Sequence, residues 1–339
     1  MRLDRTLDIT TLSLVLSLAM FVIITPFIPL LFPPYHPNCP EQRYTPNKHK
    51  LISTRIGSIK TSMQYWEVAR TLSDDFVTLS ADDSNEKEIG AEWVNDYSQN
   101  PHDIPNLVHC DEDARGFYNH LGKKGFTKRW IWGDDLAWES DFERPDVGGS
   151  DYIWVDAVDY VYFAGHGSEY TFDFGVNHDG DGITTYTVLI YDQEYNPIPP
   201  PEAEWGDKDL EWIFIATCKT VCGLYLSFCF SSPISLHGIA GFKTDSYDVP
   251  DTGKYLAYYL TDTWGPRCIG DAWKLATKHA QPSDVKGSIV RAVEKEWFWI
   301  VRDWYNEYIP GYGETYDDPW KYDDTWYDWI WIAYTEWGC

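Results

Sequence analysis

Two short stretches, Val158–Ala164 (VDYVYFA) and Leu210–Ala216 (LEWIFIA), constrain this chain more than any other part of it. Each is a nearly continuous apolar run of strand length, and a strand without a polar face has to be covered on both sides. Buried strands of this kind form the centre of parallel sheets, so the expected class is α/β with a mostly parallel central sheet. Neighbouring segments supply the other elements. Ile89–Val94 and Lys128–Trp132 read as strands. Between them Asp111, Glu112 and Asp113 place acids at a helix N-terminus, and Ala114, Phe117, Tyr118 and Leu121 follow at helical spacing until Gly125. Downstream, Ser235–Phe242 predicts a strand, and helices are expected around Tyr255–Thr263, over Ile269–Ala280 and over Asp284–Tyr305. The last of these is read from a stripe of Val285, Ile289, Val293, Trp297, Ile300 and Trp304. Glu169–Pro201 has the composition of a β-hairpin insertion and loop, and Trp326–Tyr334 that of an edge strand.

The N-terminal region differs in kind. Leu12–Phe32 carries no charge over a length that spans a bilayer as a helix, and no small-residue cleavage site closes it. It reads as an uncleaved signal anchor within residues 1–32, with secretion after cleavage as the alternative. Residues 33–57 hold five prolines and no periodicity, as expected of a stalk. The expected organisation is thus an anchor (1–32), a stalk and N-terminal extension (33–87), an α/β domain (88–305) and an aromatic-acidic C-terminal extension (306–339). The domain is expected on the outer side of the membrane. With 27 Lys and Arg against 53 Asp and Glu, the formal charge of −26 repels phosphate backbones and excludes nucleic acid as a partner. Seven cysteines at irregular spacing form neither a disulfide scaffold nor a zinc motif.

The two apolar runs end in reactive residues. The first leads into Gly165-His166-Gly167-Ser168 and the second into Thr217-Cys218-Lys219-Thr220. In open α/β sheets ligands collect beyond the carboxyl ends of the strands, so His166 and Cys218 are expected to share one crevice. A thiol attacks as its thiolate, which a neighbouring imidazolium favours, and the imidazole can then protonate a leaving amine. Acyl transfer is the reaction class this pair suits. The backbone N–H groups of Gly167 and Cys218 are the candidate donors to the oxyanion.

The order His-Gly after one strand and Cys after the next, 52 residues on, resembles the caspase–gingipain clan of cysteine peptidases. Asp113-Ala114 with Phe117, Leu121 and Gly125-Phe126 is similar to the first helix and turn of that fold, and Gly238–Phe242 followed by Ile269-Gly270-Asp271-Ala272 to its gingipain branch. Within the fold, WGDKDLEWIFIATC and RWIWGDDLAWESDF resemble a family of archaeal and bacterial proteins with no established activity. The resemblance implies a caspase-like three-layer sandwich and a cysteine endopeptidase acting on protein or peptide substrates without an organic cofactor. In it Cys218 is the nucleophile, His166 the general acid and Gly167 an oxyanion donor. Ala216-Thr217 before the cysteine and Thr220 after it depart from the caspase pattern, so the clan's pocket chemistry is not carried over. The alternative is a catalytically silent relative serving as a binding or surface-structural module.

Asn177, Asp179, Asp181 and Gly182 match the start of a calcium loop, but the twelfth position is Val188 rather than Glu, so a polar turn competes with a calcium site. Charge makes Asp179, Asp181 or Asp209 candidates for recognising a basic substrate side chain. Cys218 and Cys222, four apart, suit packing, a redox pair or soft metal ligands. His237, on an apolar strand, reads as structural.

Overall fold

The computed structural model describes residues 87–177, 187–189, 202–203, 205–206, 208–223, 236–296, 299–319 and 328–339. The two apolar runs form neighbouring strands, β3 (Tyr160–Ala164) and β7 (Trp212–Ala216), paired in parallel from Tyr160–Trp212 to Ala164–Ala216. Flanking them are β1 (Glu88–Trp93) and β2 (Thr127–Gly133) on one side, and β8 (Gly238–Phe242) on the other. These five strands are parallel, in the order β2-β1-β3-β7-β8. The mainly parallel central sheet expected from the sequence is therefore present.

Side chains alternate cleanly between its two faces. Ile89, Ala91, Tyr160, Tyr162, Trp212, Phe214, Ala240 and Phe242 face α1 (Cys110–Lys123), α2 (Thr252–Thr261) and α3 (Ile269–Ala280). Val161, Phe163, Ile213, Ile215 and Ile239 face the other way. The helices obey the apolar spacing of their sequences: α1 buries Ala114, Phe117, Tyr118 and Leu121, and ends before Gly125 at φ +96°. Trp273 of α3 sits on Phe214 and Phe242 at ring distances of 6.0 and 5.5 Å and donates its indole N–H to the Gly241 carbonyl. Burial of each such side chain contributes about 1.5–3 kcal/mol.

Among the described residues the second face is not covered by helices. It is closed by short 3-10 turns between Asp134 and Ala157, and by a small antiparallel sheet of β4 (Gly167–Ser168), β5 (Thr171–Asp173) and β6 (Thr187–Leu189). Aromatic rings replace a helical stripe there: Phe142, Phe163, Phe172 and Phe174 form one cluster, with ring centroids 4.7–5.8 Å apart.

One expectation is corrected. Asp284–Tyr305 is not a helix but two strands, β9 (Lys286–Glu296) and β10 (Trp299–Asp303). A spacing of four residues is about one helical turn and also two strand repeats, so Val285, Ile289 and Val293 fit either state. The β-branched content and the open edge of β8 decide for strand. The edge strand expected in the C-terminal extension is present. β11 (Asp328–Gly338) pairs along the whole of β9, from Asp328–Glu296 to Gly338–Lys286. β8 and β10 share the opposite edge of β9, which leaves β11 as an edge strand. No helix among the described residues is long and apolar enough to cross a membrane, and residues 12–32 lie outside them.

Candidate active site

Because Ala164 and Ala216 are register partners, the chain leaves β3 and β7 side by side at the carboxyl end of the sheet, about 5 Å apart. His166 and Cys218 each follow two residues later, and both are half-buried. The two loops interlock. A Cβ on Gly167 would fall 2.7 Å from both the Thr217 and Thr220 hydroxyls and 2.8 Å from the Thr171 carbonyl. Only a residue without a side chain allows the His-Gly loop to lie against the Thr-Cys loop. Thr220 in turn hydrogen-bonds Thr217 and donates to the Thr171 carbonyl at 2.9 Å.

The imidazole is held by groups the sequence does not single out. Its Nε2 lies 2.8 Å from the Pro105 carbonyl. A carbonyl only accepts, so Nε2 carries the proton and Nδ1 keeps the lone pair. The His166 N–H donates to the Tyr97 hydroxyl at 2.8 Å, and that hydroxyl donates to the Asp173 carbonyl at 3.1 Å. The buried Tyr97 ring stands edge-on to the imidazole at 4.8 Å. Burial pushes the His166 pKa below its ordinary value, against the Pro105 contact that raises it.

The sulfur of Cys218 is cradled by Ser246, whose N–H donates to it at 3.3 Å and whose carbonyl lies 3.5 Å away. Burial raises the thiol pKa and the Ser246 N–H offsets part of that rise. Desolvation works against the charged forms of both groups, because ions lose hydration there. Lys219 adopts the left-handed conformation at φ +57°, donates its N–H to the Thr244 carbonyl and pairs with Asp245 at 3.1 Å. These contacts fix the Cys218 turn to the loop after β8. Gln281 grips the same loop, pairing with both the N–H and the carbonyl of Tyr247 at 2.9 Å, and leaves the Tyr247 ring half in solvent.

Gly167 pairs with Phe172 in the β4–β5 hairpin, and the adjacent Asp173 N–H bonds the His166 carbonyl. Hydrogen-bonded and non-bonded pairs alternate in an antiparallel ladder, so the Gly167 N–H is turned away from β5.

Other expected site residues fall elsewhere. Asp209 is buried ahead of β7, at the opposite end of the strand from Cys218, and cannot read a substrate held there. Asn177 is half-buried, while Asp179 and Asp181 of the calcium loop lie outside the described residues. Cys218 and Cys222 are both free thiols, and burial raises both, Cys222 to about 11. Tyr97, Pro105 and Ser246 carried no signal in the sequence, because each acts through a hydroxyl or backbone group delivered from a distant loop.

A family model described as a domain of unknown function, DUF6345, matches residues 91–332. The chain belongs to this family. The match runs from β1 into β11, and so includes both strand ends, the 3-10 layer and the C-terminal segment. No curated protein matches the chain.

Proposed function

We propose that the protein is a cysteine endopeptidase of caspase-like type, held at a membrane by residues 12–32 and acting through Cys218 and His166. The observation that carries this reading is the register of β3 and β7, which sends a Gly-flanked histidine and a cysteine from neighbouring strand ends into interlocked loops. In the proposed reaction the Cys218 sulfur attacks the peptide carbonyl carbon while its proton passes to Nδ1 of His166, the nitrogen left open by the Pro105 contact. The carbonyl oxygen, now negative, accepts from the Gly167 N–H. Collapse of the tetrahedral species expels the amine, which takes the proton back from His166. Water then hydrolyses the thioester by the same route. The imidazole and the sulfur are each held by partners of their own, Pro105 and Ser246.

A silent relative is the second reading: the imidazole and the sulfur are each engaged by backbone groups, of Pro105 and Ser246, and burial disfavours the charged form of both. A peptide-library digest with the full-length protein separates the two. Cleavage that disappears in Cys218→Ala supports the peptidase; cleavage absent from the wild type, or unchanged in the variant, leaves the binding module.

A further inference from the structure

A second constellation lies at the opposite end of the sheet, where His237 directly precedes β8 and Glu211 directly precedes β7. Asp318 reaches it from the segment between β10 and β11. One ligand atom from each of these three residues lies within 4.8 Å of the other two. The geometry points to a binding site for one divalent transition-metal ion of the zinc class, with Glu211, His237 Nε2 and Asp318 as ligands and Glu307 as a positioning residue.

The imidazole is the deciding group. His237 is 0% exposed, and its Nδ1 meets Glu307 Oε2 at 2.8 Å. Both oxygens of Glu307 are engaged in holding that arrangement. Oε2 also accepts the Trp212 indole N–H at 2.9 Å, and Oε1 accepts the Tyr316 N–H at 3.1 Å. A carboxylate on Nδ1 orients the ring and leaves Nε2 to face outward from that pair, the arrangement in which histidines ligate metals. Nε2 is buried and makes no hydrogen bond, with Asp318 Oδ1 at 3.6 Å. As a bare lone pair it would face carboxylate oxygens, and as N–H its nearest acceptor, Asp318 Oδ1, lies beyond hydrogen-bond reach at 3.6 Å; a cation bound there removes both costs. Glu211 is fixed on its other side, its Oε2 accepting from the Tyr160 hydroxyl at 2.7 Å.

The donor set selects the ion. One imidazole nitrogen and two carboxylates suit zinc or a neighbouring first-row ion, whereas calcium requires six to eight oxygens. Tetrahedral zinc at about 2.0–2.1 Å from each donor places donors about 3.3 Å apart, so binding has to draw the three residues together. Glu211 and Asp318 are both partly exposed, but Glu211 is tied to Tyr160, so Asp318, with a quarter of its side chain in solvent, is the one with room to move. Metal binding would thereby pin the chain leading into β11 against the starts of β7 and β8. This site is independent of the peptidase reading.

The test titrates chelator-treated full-length protein with Zn2+ by calorimetry and records zinc-edge X-ray absorption. One equivalent should bind with micromolar or tighter affinity, in a nitrogen and oxygen shell without sulfur, and should raise the thermal midpoint. Asp318→Asn should weaken binding at least tenfold, Glu307→Gln by about 10–100-fold, and Cys218→Ala not at all. Asp318→Asn lies outside the core, so it reports even where His237→Gln fails to fold. An absence of saturable binding, a sulfur-containing shell, or undiminished affinity in Asp318→Asn would overturn the assignment and leave a buried ion-pair cluster.

Discussion

The two ends of one sheet treat a histidine in opposite ways. At the carboxyl end His166 is half-buried, held by the Pro105 carbonyl and the Tyr97 hydroxyl, and burial lowers its pKa. At the amino end His237 is sealed, lies between the carboxylates of Glu307 and Asp318, and is raised to about 10 in spite of burial. Desolvation acts in both places; at His237 it is outweighed because carboxylates contact the ring directly, whereas the carboxylates acting on His166, Asp173 and Asp248, do not outweigh it. Where desolvation outweighs the charges nearby the imidazole favours its neutral form, whereas two carboxylates in contact favour a cation or a ligand. The contrast matches the general asymmetry of parallel sheets, in which chemistry gathers beyond the carboxyl ends of the strands.

The contrast breaks first if the carboxyl end has no chemistry. Cys218→Ala should lower peptide cleavage by about 10^4-fold or more and His166→Ala by about 10^2–10^4-fold, with unchanged circular dichroism. Residual cleavage near the wild-type rate would remove the site. At the amino end the expected loss is in stability instead. Glu307→Ala strips the buried partner from His237 and from the Trp212 indole, and urea unfolding should register about 3–5 kcal/mol, while alkylation of Cys218 stays as it was. A fall in alkylation on that substitution would mean that the two ends communicate.

Smaller effects sharpen the picture of the carboxyl end. Gly167→Ala forces a methyl against two threonine hydroxyls and should cost about 1–3 kcal/mol by overpacking, with altered Cys218 labelling because the two loops separate. Tyr97→Phe removes the hydroxyl between His166 and Asp173; about 1 kcal/mol of stability and a fall in kcat at unchanged KM are expected. The gentlest probe is pH. A neutral thiol ionises only as pH rises through its elevated pKa, so iodoacetamide alkylation of Cys218 should climb through the alkaline range, past the ordinary thiol value of about 8.5. A rate that stays high below pH 5 would instead reveal a thiolate–imidazolium pair. Cys222, buried further from ionisation at about 11, should react more slowly throughout.

Much of the centre was legible in the sequence. The runs ending at Ala164 and Ala216 are strands because their apolar residues have no polar face to expose, and His166 and Cys218 follow them in the chain. The helix over Ile269–Ala280 was legible to the residue, since its apolar positions repeat at helical spacing only. Val285, Ile289 and Val293 were not, because a four-residue repeat satisfies two geometries and only the waiting edges of β8 and β11 choose between them. The aromatic layer over the second face was hidden for a related reason: packing of Phe142 on Phe163, Phe172 and Phe174 needs no period at all.

What the amino-acid sequence determined by itself was local: which segments must be covered on both faces, which residues stand at their ends, and where a strand gives way to a glycine-bracketed turn. Tertiary structure alone decided the electrostatic company of each reactive group. Pro105, Tyr97 and Ser246 meet the carboxyl-end pair, and Glu307 and Asp318 meet His237, from points 28 to 81 residues away along the chain. Burial and charge act through space, over a few ångströms, and the chain separates by tens of residues what the sheet register brings into contact.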